Sequence, residues 1–273
     1  DEKLFKDLDL SSLRMICTGG EPWTEKPWKW LFQVIGKSKV PIMNSAGGTE
    51  VSGSILHCCL HRPFKVGSFN APIPGMSADI LNLDGKKVST NEMGELVMRK
   101  SSIGLTKSLW NDDKRYIDNY WSVIKDYWVH GDLASRDADG HWYLHGRSDD
   151  TIKVSGKRIG PSELESVIVK SGKAKEVAAV GIPDANKGSK IILSIVPAEN
   201  NDQKESFFED LVIKDLGKSF KPDKVIFVKD LPKTRNMKIM RRVIKSCLSN
   251  QDPGDLSTLL NPESVEEIRS HAI

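Results

Sequence analysis

The sequence predicts an α/β protein in which a mixed sheet and a β-meander come first and a small α+β unit follows. Three observations lead there. Short apolar runs alternate with helix-period stretches through the first half. Several of those runs end in glycine-rich turns. A polar, turn-rich stretch, Gly146-Arg147-Ser148-Asp149-Asp150, separates that half from a differently patterned remainder.

In chain order, Leu13–Thr18 reads as a buried strand rather than a signal peptide, so the chain, which opens on Asp1, reads as a fragment. Glu25 to Ile35 carries Trp28, Trp30, Leu31, Val34 and Ile35 on one stripe and predicts a helix capped by Thr24. Val40–Met43 predicts a strand running into a glycine loop, Asn44 to Glu50. Met76–Leu83, the turn Asp84-Gly85, and Glu95–Met98 predict the meander. Asp112–Tyr120 predicts a helix. Val129–Ser135 and His141–His145 flank the turn at Asp137 to Gly140 and predict a hairpin.

Beyond the boundary, Ile152–Val154 and Lys157–Ile159 predict a hairpin about Ser155-Gly156. Pro161 suits the first turn of a helix over Ser162–Lys170. Val177–Ile182, Ile191–Val196 and Lys224–Val228 predict strands. Glu205–Leu216 and Lys238–Leu248 predict helices, and Pro262–Arg269 a short one. The divisions are 1–148, 149–249 and a polar tail, 250–273.

Composition narrows the function. With 38% hydrophobic and 28% charged residues among 273, the chain reads as globular. A net charge of +3, from 40 basic and 37 acidic residues, gives no case for a nucleic-acid partner. No apolar run reaches the roughly 20 residues of a membrane span. His57-Cys58-Cys59-Leu60-His61 is too tight a knot for a zinc site and reads as strand material.

Four segments carry chemical types. Gly20-Glu21-Pro22 follows a strand, where glycine admits a flat ligand close to backbone. Asn44 to Glu50 offers backbone amides and the Thr49 hydroxyl for an anion, and the Glu50 carboxylate for Mg²⁺; a glycine turn capped by Thr49 is the plainer alternative. Asp132, in His130-Gly131-Asp132, suits ribose hydroxyls, and Arg147 suits a carboxylate or phosphate; a surface ion pair is the plainer alternative. Pro232 to Arg242 packs five cations into eleven residues, suited to a polyphosphate or to a solvated basic face.

The order of these segments is similar to that of the AMP-forming acyl- and aryl-CoA synthetase, adenylation-domain and luciferase superfamily. The run from Gly146 to Glu165 is the most specific part. Pro232-Lys233-Thr234-Arg235 with Lys238-Ile239-Met240-Arg241-Arg242, and the tail Gly254 to Leu259, resemble the acetyl-CoA synthetase branch and, within it, the plant acyl-activating enzymes.

The resemblance implies the rear part of the large adenylate-forming domain followed by a small mobile C-terminal domain. It implies an acid–CoA ligase using ATP, Mg²⁺ and CoA. Gly20, Glu21, Pro22 and Asn44 would line the nucleotide. Thr49 would touch the α-phosphate, and Glu50 would sit by Mg²⁺. Asp132 and Arg147 would hold the ribose, and Arg158 would approach a phosphate. Asp149 would be the hinge, Ser155 and Gly156 the pantetheine tunnel, and Lys238 the cation bridging carboxylate and α-phosphate.

Departures from the family pattern matter too. Asn236-Met237 stands where Ser-Gly is usual, and Met does not easily take a positive φ. Ala46-Gly47 replaces the tryptophans of acetate-specific members, which implies a wider acyl pocket and a medium-chain or aryl-alkyl acid. The family's phosphate-binding loop is not in this sequence, so activity is expected of an intact parent and not of this stretch alone. A carrier-protein or oxygen acceptor, or a non-catalytic nucleotide-binding homologue, are the alternatives. The resemblance also points to the peroxisome or cytoplasm, although the chain does not end in Ser-Lys-Leu.

Overall fold

The computed structural model describes Phe5, residues 8–199 and residues 202–273. The chain divides into two compact units, Asp1–Ser148 and Asp149–Ile273.

The first unit holds two four-stranded sheets. In one, β1 (Ile16–Gly19) runs parallel to β2 (Ile42–Gly48), joined by α1 (Glu25–Trp30), whose helical path continues to Ile35 in a wider π-type turn. β3 (Gly53–His57) and β4 (Ala71–Pro72) extend the sheet antiparallel. The other is a meander of β5 (Ala78–Leu81), β6 (Gly94–Met98), β7 (Trp128–Arg136) and β8 (Trp142–Arg147) in sequential order. The two expected pieces, meander and hairpin, are therefore one antiparallel sheet. Ile55, Leu56, Phe69, Leu96, Trp128 and Trp142 are buried in a common core.

The second unit is a three-layer sandwich. Its sheet has the order β11 (Ala174–Asp184), β12 (Gly188–Pro197), β13 (Lys224–Phe227); β12 pairs antiparallel with β11 and parallel with β13. Successive side chains on a strand point to opposite faces. Val177, Ala179, Ile191, Leu193 and Ile195 share a core with residues of α3 (Pro161–Lys170) and α4 (Glu205–Leu216). Ala178, Val180, Ile192 and Val196 share another with residues of α5 (Arg241–Leu248) and α6 (Glu263–Arg269). Both faces are covered, so these strands read as unbroken apolar runs. Ahead of the sandwich, β9 (Ile152–Val154) and β10 (Lys157–Ile159) form a hairpin. Its two turn residues, Ser155 and Gly156, have φ of 49° and 80°, as a two-residue primed turn requires.

Three sequence expectations give way. The run Asn44 to Gly48, expected as a glycine loop, is strand: β1 and β3 satisfy its backbone on either side. The helix expected to start at Lys238 starts at Arg241. The chain before it folds back as a hairpin, bridging Lys233 to Ile239, with Thr234 N–H to Lys238 C=O at 2.9 Å and Met237 N–H to Thr234 C=O at 2.8 Å. Lys238 thus sits on a hairpin turn, not on a helix.

Met237, expected to resist a positive φ, adopts 63°. A type I turn followed by one left-handed residue is the three-residue hairpin solution, and the closing hydrogen bonds leave position 237 no other conformation. The left-handed region costs a non-glycine residue roughly 1–2 kcal/mol.

Two substitutions should move stability in opposite directions. Met237→Gly removes the left-handed cost but adds unfolded-chain entropy, so a net gain of about 0.5–1 kcal/mol is expected. All seven tryptophans precede residue 143, so this gain must be read by far-ultraviolet dichroism or amide exchange in the second unit. Gly131 has φ 81°, and a Cβ there would lie 2.7 Å from Arg147 Nη2. Gly131→Ala should cost about 1–3 kcal/mol, read by tryptophan fluorescence during denaturant unfolding.

Candidate functional site

β1 and β2 are parallel neighbours, with Thr18 opposite Asn44 and Gly19 opposite Ser45. The exposed turn Gly20-Glu21-Pro22 leaves β1 on the same edge as the end of β2. In α/β sheets, ligands bind outside the carboxyl ends of such strands. Side chains tie the two exits together: Ser45 Oγ donates to Thr18 C=O at 3.0 Å, Thr18 Oγ1 to Asn44 Oδ1 at 3.2 Å, and Trp23 Nε1 to Thr18 Oγ1 at 3.1 Å. Asn44 is 3% exposed, and its Nδ2 has no hydrogen-bond partner among the described residues. An unsatisfied buried donor costs about 1–3 kcal/mol, which an acceptor on a ligand would recover.

β2 then meets an irregularity against β3 between Ala46 and Gly47. A Cβ on Gly47 would lie 2.1 Å from Gly53 O, so β3 backbone occupies that space and no side chain fits without moving the strand. Ala46 is half-buried against the core of the first unit. Past Gly48, a 3₁₀ turn at Thr49–Val51 leaves Thr49 exposed and Glu50 half-buried.

Glu50 leads to a contact chain along the meander. Tyr120 O–H donates to Glu50 Oε1 at 3.1 Å. Burial, then the Glu50 charge and hydrogen bond, push the Tyr120 phenol up to about 12, so it stays a donor. Tyr120 stacks on Trp128 at 5.2 Å, and Trp128 lies 5.5 Å from the His130 ring. His130 Nε2 lies 3.3 Å from Asp132 Oδ2. Burial holds the His130 imidazole below its ordinary value, outweighing the Asp132 carboxylate, which acts the other way.

Asp132 is the register partner of Arg147, across an irregularity in β7. Arg147 Nη1 lies 3.6 Å from Asp132 Oδ1 and donates to His130 C=O at 3.0 Å. Residue 131 has a left-handed backbone, φ 81°, with the guanidinium close beside it, which favours glycine as the middle letter of His-Gly-Asp. The structure thus links Glu50, Asp132 and Arg147 through Tyr120, Trp128 and His130. Sequence reasoning missed Tyr120 and Trp128. The period-2 spacing of 128, 130 and 132 on one strand was the available signal.

In the second unit the expected residues stand on separate elements. Asp149, exposed, is its first residue. Ser155 and Gly156 form the exposed β9–β10 turn, Arg158 is exposed on β10, and Lys238 is exposed on the hairpin.

The basic run around Lys238 is not a uniform cationic face. Lys233, 6% exposed, pairs with Glu176 at 2.6 Å and Asp230 at 2.7 Å. Burial acts to lower its ammonium, but the hydrogen bonds to Asp230 and Glu176 win and hold it above the ordinary value. Arg241 grips Glu165 with two hydrogen bonds, at 3.0 and 2.8 Å, and Glu165 also accepts from Ala179 N–H at 2.9 Å. Arg242 donates to the carbonyls of Pro253 and Asp255. Three of the five cations are therefore structural, and Arg235 and Lys238 are left exposed.

All four cysteines are free, and no group of three metal-ligating side chains occurs among the described residues. Nor is any helix among them long and apolar enough to cross a membrane.

Residues 1–110 match the family described as "AMP-binding enzyme", and residues 163–238 match "AMP-binding enzyme C-terminal domain". The chain is 37% identical over 270 residues to acetyl-coenzyme A synthetase of Methanothrix soehngenii, covering 95% of this chain and 40% of that protein. It is 38% identical over 275 residues to the acetyl-coenzyme A synthetase of Helicobacter pylori (strain G27), covering 96% and 42%. The chain thus spans about two fifths of the length of these curated relatives. Among solved structures, the anthranilate CoA ligase AuaEII in complex with anthranoyl-AMP matches with TM-score 0.73 and 27% identity, over 88% of this chain and 45% of that one. Acetoacetyl-CoA synthetase from Streptomyces lividans shares the fold, with TM-score 0.82 and 23% identity over 97% of this chain and 41% of that one. With the two family segments in order along one chain, and relatives more than a third identical across nearly all of it, the chain belongs to the AMP-binding enzyme family.

Proposed function

We propose that the chain is the nucleotide-edge and lysine-bearing part of an AMP-forming acid–CoA ligase, active as the intact protein. The observation that carries this is the shared exit of β1 and β2, where the turn Gly20-Glu21-Pro22 and the buried, unpartnered Asn44 Nδ2 share one sheet edge. On this reading, Gly20, Glu21, Pro22 and Asn44 hold the adenine, and Asp132 and Arg147 hold the ribose. Thr49 donates to the α-phosphate.

Glu50 supplies one carboxylate to Mg²⁺. That suits an ion that takes one or two protein carboxylates and otherwise phosphate and water oxygens. The Tyr120 hydrogen bond to Oε1 is consistent with such a ligand, since it orients the carboxylate without neutralising it. The ion's contribution is to offset phosphate charge.

Two half-reactions follow. In the first, a carboxylate oxygen of the acid attacks the α-phosphorus, an acyl–phosphate bond forms and pyrophosphate leaves. Two anions are brought together, so a cation at the point of attack lowers the barrier. Lys238 fills that role, and Arg158 approaches a phosphate. In the second, the CoA sulfur attacks the acyl carbon, the thiol proton is lost and AMP departs. Ser155 and Gly156, a side-chain-poor turn, line the pantetheine path, and Asp149 serves as the pivot between the two steps.

The acid proposed is medium-chain or aryl-alkyl, a reading supported by the absence of tryptophan at Ala46 and Gly47, although β3 backbone fills the side-chain position of Gly47. Identity to acetyl-coenzyme A synthetases supports acetate as the second reading.

Two measurements on the intact protein test this. Lys238→Ala should lower acid-dependent ATP–pyrophosphate exchange by about 10²–10³-fold, as loss of a transition-state charge does. CoA transfer from supplied acyl-adenylate should stay within about threefold. Unchanged exchange would identify a nucleotide-binding homologue without turnover. In a comparison of acids, kcat/KM for acetate should fall about tenfold or more below the best medium-chain or aryl-alkyl acid, the scale of one or more buried methylenes. Acetate as the best substrate would replace the first reading by the second.

A further inference from the structure

We propose that the C-terminal segment Pro253–Asn261 is a brace that fixes the hairpin carrying Lys238, and that Asn261 is a positioning residue for the adenylate-forming step. The inference rests on the role given to Lys238 above. The segment lies beyond the matched C-terminal family region, which ends at residue 238.

The brace lies along the open edge of the hairpin and joins it through one isolated bridge and two flanking hydrogen bonds. On one side of residues 232–235 the hairpin closes on itself through the Lys233–Ile239 bridge and a Met240 N–H to Pro232 C=O bond of 2.8 Å. On the other side, Thr234 bridges Leu259, Leu260 N–H donates to Lys233 C=O at 2.8 Å, and Arg235 N–H donates to Thr258 C=O at 3.3 Å. The stretch leading to the lysine turn is therefore paired on both edges. An isolated two-stranded hairpin is marginal in water, and pairing along its second edge adds main-chain bonds that hold it in place.

Both ends of the brace are tied around the hairpin. At the far end, Asn261 is 7% exposed, and its amide is used on both sides. Oδ1 accepts from Lys233 N–H at 3.0 Å, and Nδ2 donates to Asp230 Oδ2 and to Leu231 C=O, each at 2.8 Å. At the near end, Arg242, in the helix that follows the hairpin, holds the Pro253 and Asp255 carbonyls. Gly254 has φ 69°, and a Cβ there would stand 3.1 Å from Arg242 Nη1. The tail is thus anchored to the strand before Lys238 and to the helix after it.

Position matters because Lys238 acts at a distance set by its backbone. Misplacement of a reacting group by about 1 Å is enough to cost about 10²-fold in rate. A brace that only stabilised the fold would, when weakened, reduce every activity alike. A brace that positions Lys238 affects the one half-reaction in which Lys238 takes part.

The test compares Asn261→Ala and Gly254→Ala with Lys238→Ala in the intact protein. Each is assayed for acid-dependent ATP–pyrophosphate exchange, for CoA transfer from supplied acyl-adenylate, and for its thermal unfolding midpoint. The two brace variants should lower kcat for exchange by about 10- to 100-fold while CoA transfer stays within about twofold. Equal losses in both half-reactions, or no loss in exchange, overturn the proposal. If Asn261→Ala does not fold, Gly254→Ala decides at the other end of the brace. If Lys238→Ala leaves exchange intact, the role of the lysine falls and the brace with it. If Lys238→Ala abolishes exchange and both brace variants do not alter it, only the brace falls.

Discussion

Every buried backbone donor and acceptor needs a partner, and in this chain that requirement overrides residue type at the places that matter. Asn44 to Gly48 has the composition of a loop, yet it lies between two strands with unpaired edges and becomes strand. Lys238 to Met240 has the composition of a helix start, yet Pro232 and Thr234 capture its backbone and delay the helix to Arg241. Residues 258–260 lie within the stretch expected as a polar tail, yet the open edge of the lysine hairpin recruits them. Glycine, methionine and leucine all yield to the same demand, and Met237 yields to the point of a left-handed backbone.

The demand also explains which parts of the molecule were legible in the sequence. Long strands covered on both faces, such as β11 and β12, are announced by their own side chains, because burial on both sides requires apolar residues at every position. Helices α3 and α4 are announced by composition and by Pro161 at the first turn, with Glu163 accepting from Gly160 N–H at 3.1 Å. The antiparallel meander was legible as strands but not as one sheet, since pairing between β6 and β7 spans a long connection that no local pattern encodes. Short pieces, such as the lysine hairpin, are decided by partners far away in sequence, here Leu259 for Thr234.

The candidate site divides in the same way. His130-Gly131-Asp132 was recognisable as letters, but the glycine answers to a left-handed backbone beside the bulge in β7, which the letters do not show. Tyr120 and Trp128 carried no motif at all. They matter because stacking and one hydrogen bond put Glu50 and Asp132 on a single continuous contact path. A motif names residues that touch a ligand more readily than residues that hold those residues, because a supporting side chain has many acceptable sequences and few acceptable positions.

The same distinction separates the five cations of the 232–242 run. A cation that must meet a phosphate cannot already be committed to a carboxylate, because the pairing energy would have to be given up first. Lys233 and Arg241 are so committed, to Glu176, Asp230 and Glu165, and they serve the fold. Lys238 has no ion-pair partner among the described residues, so its own ammonium does not set its place; hydrogen bonds to its backbone do. A lysine held by its backbone and left uncommitted at its ammonium has a defined origin and a free charge. The hairpin, its left-handed Met237 and the segment paired beside it supply the first without consuming the second.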